Sequence, residues 1–230
     1  MDNDYRGWAR ALWNYLRLGH HLIKSDVVIG LGCHDIRVAE RVARLYLEGW
    51  APWILFTGYL GNHTLVIGIL FRNKLIIPAL RDTPCEVSHE EVIRLKLLSS
   101  RLRGTETNHK NILIQNVKYH YYMDKDKKTP FGKIILVQQP FMERRILATF
   151  LRQWPGDKEN TQVIVTSPQM DPCDYPNQHV GNMADLIGYM LAVLERIRDY
   201  PKKGFQVEQE ITPEALNSYQ QLLQAGHRPK

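Results

Sequence analysis

The stretch Asp26-Val27-Val28-Ile29-Gly30-Leu31-Gly32, followed by Cys33-His34-Asp35, decides the fold of this chain. Its apolar run is continuous instead of alternating, which suits a strand that is buried on both faces of a sheet. The polar break after it leads into a helical pattern over 36–47, where apolar residues recur at helical spacing. A strand, a break and a helix in this order form the repeating unit of a parallel α/β sheet.

Three further stretches follow the same order along the chain. The sequence predicts strands at Trp53–Thr57, Lys133–Val137 and 162–165, each followed by a short break. We therefore expect an α/β chain with a Rossmann-like three-layer fold and a mainly parallel central sheet of at least four strands. The runs 26–32 and Lys133–Val137 are the most uniformly apolar, so we expect them at the centre of the sheet.

The remaining segments fit one predicted domain that spans residues 1–230. Helices are predicted over 5–23, about 141–154, 183–197 and 213–225. The first of them should pack on the sheet, because its apolar residues recur at mostly helical spacing. Segment 62–104 has mixed periodicity, so we expect it to pack less well than the strands. Residues 200–230 are expected to form a C-terminal extension.

Composition weighs against several classes of protein. The net charge of +6 makes an anionic ligand worth testing, but no dense Lys/Arg tract supports a nucleic-acid-binding role. The cysteines Cys33, Cys85 and Cys173 are isolated, which indicates free thiols and neither a zinc knuckle nor a disulfide framework. The longest apolar stretch, 65–71, is far below the roughly 20 residues of a membrane helix. We therefore expect no membrane anchor and a cytoplasmic location.

The breaks after the strands predict one ligand-binding crevice, since the carboxyl ends of parallel strands share an edge of the sheet. The candidate binding residues from these breaks are Gly32, Cys33, His34, Asp35, Gly58, Tyr59, Gly61, Gln139 and Arg145. Arg145 lies in the first turn of a predicted helix, where a cation opposes the helix dipole, so we expect it to bind a carboxylate or phosphate.

Simpler structural roles stay open for three of these positions. Asp35 is a suitable N-cap of the following helix, 58–61 is compatible with a flexible loop, and Arg145 could form a surface ion pair with Glu143. Gly30-Leu31-Gly32 lacks the third glycine of the dinucleotide-binding fingerprint. The nine histidines form no HxxxH or HExxH arrangement, so no metal site is predicted.

Several stretches of the chain share one pattern with a known family. They are 13–19, 25–32, 37–46, 56–58, 204–211 and, as the most specific, Ile135-Leu136-Val137-Gln138-Gln139-Pro140-Phe141-Met142-Glu143-Arg144-Arg145. Together they resemble the YdcF-like family, the family of domains of unknown function that includes YdcF, SanA and ElyC. The resemblance covers most of 12–60 and 105–225.

The resemblance implies a small anionic or nucleotide-like ligand, S-adenosylmethionine above all, and adds Asn108 and Asn111 to the expected binding residues. A transferase, a hydrolase and a sensor are all compatible with it. The chain departs from the family pattern at Lys110, where an acid is expected, and Glu90-Glu91 is the nearest match to an acidic helix start. Segment 62–104 is thus either divergent or a reading-frame artefact. A non-catalytic interaction protein with a decayed site is the alternative function.

Overall fold

The computed structural model describes residues 4–57, 131–154 and 159–230. The described strands are β1 (Val27–Leu31), β2 (Trp53–Thr57), β3 (Lys133–Val137) and β4 (Gln162–Thr166). The described α-helices are α1 (Asp4–Leu16), α2 (Ile36–Leu47), α3 (Glu143–Gln153), α4 (Met183–Asp199) and α5 (Pro213–Gln224). Short 3₁₀ helices at Pro140–Met142 and Pro201–Lys203 precede α3 and follow α4. The expectations for segment 62–104 and for Gly58, Tyr59, Gly61, Asn108 and Asn111 fall outside the described residues.

The four described strands form one parallel sheet in the order β2-β1-β3-β4. In the register of the sheet, Val27 of β1 lies between Trp53 of β2 and Ile134 of β3. All five residues of β1 are buried, as are the last four of β3. The predicted central position of these two strands and the predicted three-layer α/β fold are both confirmed.

Each face of the sheet is covered by a helix that follows one of its central strands. Because side chains alternate along a strand, Val27, Ile29 and Leu31 face one side and pack with Ile146 and Phe150 of α3. On the other side, β1 and β3 pack against α2 through a second set of residues. That set includes Val28, Ile135, Val137, Val38, Val42 and Leu45. The continuous apolar runs of the strands are therefore needed to fill two separate cores.

Helix α1 differs from its prediction in length and in position. It ends at Leu16 and not at residue 23, since the N–H of Leu18 donates to Oε2 of Glu143 at 2.7 Å and Gly19 adopts a φ of 61°. Its buried residues pack mainly with those of α4 and α5 in a third core, not on the sheet. The predicted helix is present, but the prediction that it packs on the sheet is wrong. The two faces of the sheet are covered by α2 and α3 instead.

The predicted C-terminal extension is packed against the rest of the chain. The N–H of Val207 donates to the carbonyl of Ala148 in α3, and Tyr15 of α1 donates its hydroxyl to the carbonyl of Glu210. Asn182 caps α4 in a capping box with Asp185, so that helix begins where the sequence predicts. Across the described ranges, none of the helices is both long and apolar enough to cross a bilayer. The single-domain organisation over 1–230 stays a prediction.

Candidate functional site

The candidate site lies beyond the carboxyl ends of β1 and β3, which are neighbours in the sheet. The chain leaves β1 through α2 to reach β2 on one side, whereas β3 lies on the other side. In open parallel sheets, ligands bind at such topological switch points, because the connections of the two strands diverge there. Gln138 spans the two strand ends: its Nε2 donates to the carbonyl of Leu31 at 3.1 Å, and its Oε1 accepts the N–H of Gln139 at 2.9 Å.

Gln139 carries a buried donor at this strand end. The residue is only 5% exposed, and it precedes the 3₁₀ helix Pro140–Met142. Its side-chain Nε2 is buried and has no hydrogen-bond partner in the part of the chain that the structure describes. Most buried polar groups in native proteins are paired, so a group of this kind indicates a partner from outside the described chain. Gln139 is thus the predicted site residue with the clearest capacity to bind a ligand.

Asp35 is held within a buried polar cluster. Its carboxylate accepts the N–H of Arg37 at 3.1 Å, which makes it the N-cap of α2. The same carboxylate accepts Nε and Nη2 of Arg37 at 2.8 and 3.0 Å and the hydroxyl of Tyr175 at 2.6 Å. Four donors from the protein therefore occupy it, and a ligand would have to compete with them. The capping role that the sequence left open is the one that the geometry displays.

The cluster joins the start of α2 to the loop after β4. Arg37 donates from Nη2 to the carbonyl of Tyr175 at 2.8 Å, and its guanidinium lies 4.3 Å from the centroid of the Tyr175 ring. Burial lowers the pKa of Arg37, but the hydrogen bonds and charge of Asp35 outweigh this and raise it. Arg37 thus remains a cation that clamps the loop to the carboxyl edge of the sheet.

The Cys33 thiol and the Tyr175 hydroxyl, which lie close to Asp35, are poor nucleophiles at neutral pH. Burial raises the pKa of the Cys33 thiol to about 12, and the thiol donates to the backbone carbonyl of Asp35 at 3.6 Å. Burial and then the charge of Asp35 also raise the pKa of Tyr175 well above its usual range. Both groups therefore stay protonated, because a neighbouring carboxylate and a low-dielectric interior disfavour a second anion.

An aromatic group brings the breaks after β1 and β3 together. The rings of His34 and Tyr189 lie 6.3 Å apart, and Tyr189 lies parallel to Phe141 at 6.2 Å. Tyr189 belongs to α4 and Tyr175 to the loop after β4, and sequence reasoning missed both. The length of the polar loop 168–182 was the available signal for Tyr175, but spacing alone does not select a single residue from it.

Arg145 has neighbours that differ from those of the other predicted residues. Its Nη1 lies 3.7 Å from the sulfur of Met142, and its guanidinium lies 5.7 Å from the ring of Tyr200. Burial, and then the charge of Arg196, lower the pKa of Arg145 to about 10. Its Nε is buried and has no hydrogen-bond partner among the described residues. No carboxylate in those residues forms an ion pair with it.

The alternative role of Arg145, an ion pair with Glu143, is not among the contacts of the described chain. Glu143 instead accepts the hydroxyl of Ser167 at 2.6 Å and the N–H of Leu18 at 2.7 Å. Those two bonds join the end of β4 and the end of α1 to the start of α3. Glu143 therefore has a structural role.

The structure thus brings Cys33, His34, Asp35 and Gln139 to one edge of the sheet, with Gly32 at the end of β1. Arg145 instead contacts Met142 and lies near Tyr200. In the described ranges, no three His, Cys, Asp or Glu side chains lie close enough together to hold a metal ion.

Comparison with known proteins gives one informative relative. No family model matches the chain. The chain is 30% identical over 223 residues to an uncharacterized protein of Streptomyces coelicolor, and the match covers 96% of this chain and 91% of that protein. The chain belongs to the same family as that protein. Because the match covers 96% of this chain, it includes segment 62–104.

Proposed function

We propose that this protein is a YdcF-like protein that binds a nucleotide-like small molecule, with S-adenosylmethionine as the first candidate. The binding site is the crevice beyond the carboxyl ends of β1 and β3. Support comes from the position of that crevice, since open parallel sheets bind their ligands at the switch point of the strand order. The resemblance of 135–145 and the other matching stretches to the YdcF-like family supports the choice of ligand.

The observation that carries the proposal is the buried amide nitrogen of Gln139 after β3, which has no hydrogen-bond partner among the described residues. An amide N–H₂ is a donor, so the matching group on the ligand is an acceptor such as a ring nitrogen, a carbonyl or a carboxylate. S-adenosylmethionine offers all of these except the carbonyl. The aromatic rings of His34 and Tyr189 nearby suit the flat face of a nucleobase.

Neither Asp35 nor Cys33 is available as a base or nucleophile in this crevice. Asp35 is occupied by four donors, and the high pKa of Cys33 keeps the thiol protonated. These two observations favour a binding protein over an enzyme that uses either residue as a base or nucleophile. A non-catalytic interaction protein is therefore the second candidate function, and binding of S-adenosylmethionine separates the two.

Calorimetric titration with S-adenosylmethionine and related nucleotides tests the proposal. We expect saturable binding to the wild-type protein, and we expect Gln139→Ala to weaken it by roughly tenfold through loss of one hydrogen bond. Gln162→Ala is the matched control, because Gln162 is exposed at the opposite end of the sheet, and it should leave the affinity unchanged. Absence of binding by every compound would reject the ligand class, and an unaffected Gln139→Ala would move the site elsewhere.

Arg145→Ala belongs in the same titration. If Arg145 binds an anionic group of the ligand, the substitution should weaken binding by about ten- to a hundredfold. The charge of Arg145 is buried without an ion pair in the described chain, so it contributes little to the stability of the folded protein. The melting temperature of Arg145→Ala should therefore stay close to that of the wild type. Unchanged affinity would remove Arg145 from the site, in agreement with its separate set of neighbours.

A further inference from the structure

A cleft of about 330 Å³ lies between α1 and the loop that follows β4. Its helix side consists of Arg10, Trp13, Asn14 and Arg17. These positions are spaced by three, four and seven residues, so they lie on one face of a helix. The N–H of Arg17 donates to the carbonyl of Trp13 at 3.1 Å, which continues the helical hydrogen bonding through this last position.

The loop is tied to the helix at both ends of the cleft. Arg10 donates from Nη1 and Nη2 to the two carboxylate oxygens of Asp171 at 2.6 and 3.0 Å. One helical turn beyond Trp13, Nη2 of Arg17 donates to the side-chain carbonyl of Gln169 at 2.7 Å. These two contacts connect the helix to the loop on either side of Trp13 and Asn14. The cleft is therefore part of the folded structure.

Two of the residues that line this cleft carry a donor with no hydrogen-bond partner among the described residues. Trp13 is completely buried, and its indole Nε1 has no hydrogen-bond acceptor within the described residues. The Nε of Arg17 is also buried without a partner in that part of the chain. Indole and guanidinium N–H groups are donors only, so only an acceptor can satisfy them. Two unpaired donors four residues apart on one helix face indicate a ligand with more than one acceptor oxygen.

The charge at the cleft points to an anion. Arg10 is neutralised by Asp171, whose pKa is lowered by the hydrogen bond from Arg10. By contrast, no carboxylate forms an ion pair with Arg17 among the described residues. Within the described residues, Arg17 is thus a cation without a carboxylate partner, one helical turn from the buried indole N–H of Trp13. A carboxylate or phosphate oxygen is the acceptor that both groups bind most strongly.

We propose that this cleft is a second binding site, which takes the carboxylate or phosphate group of a small molecule through Nε of Arg17 and Nε1 of Trp13. None of the residues that line it belongs to 32–35 or 138–141, but Met170 contacts Arg37 and Trp13 packs against Tyr175, so the cleft adjoins the polar cluster of Asp35. The proposal rests on the cleft and its donors and does not depend on the ligand of the crevice beyond β1 and β3.

The indole N–H resonance of Trp13 reports occupancy directly. Inorganic phosphate and acetate are titrated separately into ¹⁵N-labelled full-length protein, and the indole peaks of the five tryptophans are followed. Trp13→Phe identifies the peak; should that variant not fold, the nuclear Overhauser contacts of Trp13 with the Tyr175 ring, 5.2 Å away, identify it instead. We expect a saturable shift of this peak with at least one probe, and the stronger probe distinguishes a phosphate from a carboxylate ligand.

Arg17→Gln should weaken that binding by about ten- to a hundredfold, because it removes the charge and the Nε donor. Arg6→Gln is the matched control: it removes one positive charge from the exposed face of the same helix outside the cleft. It should leave the affinity within twofold of the wild type. A Trp13 peak that does not shift with either probe would overturn the proposal, as would equal weakening by Arg6→Gln and Arg17→Gln.

Discussion

Asp35 links two segments that are far apart in the chain, although it is a single short side chain. It caps α2, pairs with Arg37 and accepts the hydroxyl of Tyr175, 140 residues later. Since the carboxylate is fully buried, its removal leaves the Tyr175 hydroxyl without its acceptor and the Arg37 guanidinium without its ion-pair partner. Stability at this end of the sheet therefore depends strongly on one residue.

Asp35→Ala is expected to lower the free energy of unfolding by about 3–5 kcal/mol, the usual cost of breaking a buried ion pair. Tyr175→Phe should cost about 1.5–3 kcal/mol, because it removes a single hydrogen bond to a charged group and keeps the ring in place. Urea denaturation followed by circular dichroism measures both. If Asp35→Ala costs no more than Tyr175→Phe, the pair with Arg37 contributes nothing and the cluster has been misread.

Cys33 and Cys173 should differ sharply in their reactivity. Cys173 is exposed, whereas Cys33 is buried with a pKa near 12. In a Cys85→Ser variant treated with a thiol reagent at pH 8, we expect rapid modification of Cys173 alone. Cys33 should react only after unfolding, because thiolate is the reactive form. Fast reaction of both thiols in the folded protein would contradict this.

The pH dependence of stability follows from the same raised pKa. The folded state favours the neutral thiol, so the contribution of Cys33 to stability is complete below its ordinary pKa of 9.0. It is lost as the pH rises from there towards about 12. Cys33→Ser provides the comparison, since the hydroxyl does not titrate in this range.

At the scale of elements, two glycines in helices provide a matched pair. A Cβ at Gly7 in α1 would meet nothing within 4 Å, whereas a Cβ at Gly188 in α4 would lie 2.9 Å from the carbonyl of Arg228. Gly7→Ala should therefore stabilise the protein by about 0.5–1 kcal/mol through helix propensity. Gly188→Ala must displace the C-terminal backbone, so we expect it to be at least about 1 kcal/mol less stable than Gly7→Ala.

Thermal melts of both variants test this contrast. Lys230 forms an ion pair with Asp185 and donates its N–H to the carbonyl of Gly188 at 3.1 Å, so displacement of the tail should also speed its removal by carboxypeptidase. Equal gains of stability in the two variants would show that the C-terminus does not pack on α4.

The elements that sequence reasoning predicted well are those defined by local pattern. β1 and β3 were found from their apolar runs, because burial on both faces leaves no polar position to interrupt them. The end of α1 was missed, since it depends on a hydrogen bond from Leu18 to Glu143, 125 residues away. Gly19 was a usable stop signal, because its positive φ suits glycine best.

The site was predictable only in part for the same reason. Because the carboxyl ends of parallel strands share one edge of a sheet, the sequence predicts that 33–35, 58–61 and 138–145 meet at that edge. The occupancy of Asp35 depends on Tyr175, and the isolation of Arg145 depends on Tyr200 and Arg196, all of which are distant in sequence. No local pattern contains such contacts.

At the scale of the whole molecule, the two ends of the chain meet. Leu12 and Leu16 of α1 lie in one buried cluster with Ala215, Tyr219 and Leu222 of α5. This third core closes over α4 and adds to the two cores on the faces of the sheet. The fold is therefore complete only when the last helix is in place.

Leu222→Ala tests how much this closure contributes. Leu222 is completely buried, so we expect a loss of about 2–5 kcal/mol from the transferred methyl groups and the cavity that remains. Leu216→Ala makes the same chemical change on the same helix, but Leu216 is 41% exposed, so its cost should stay below about 1 kcal/mol. Chemical denaturation of both variants gives the difference. Equal costs would mean that α5 lies on the surface without sealing a core, whereas a large cost for Leu222 alone makes the C-terminal helix a structural part of the α/β fold.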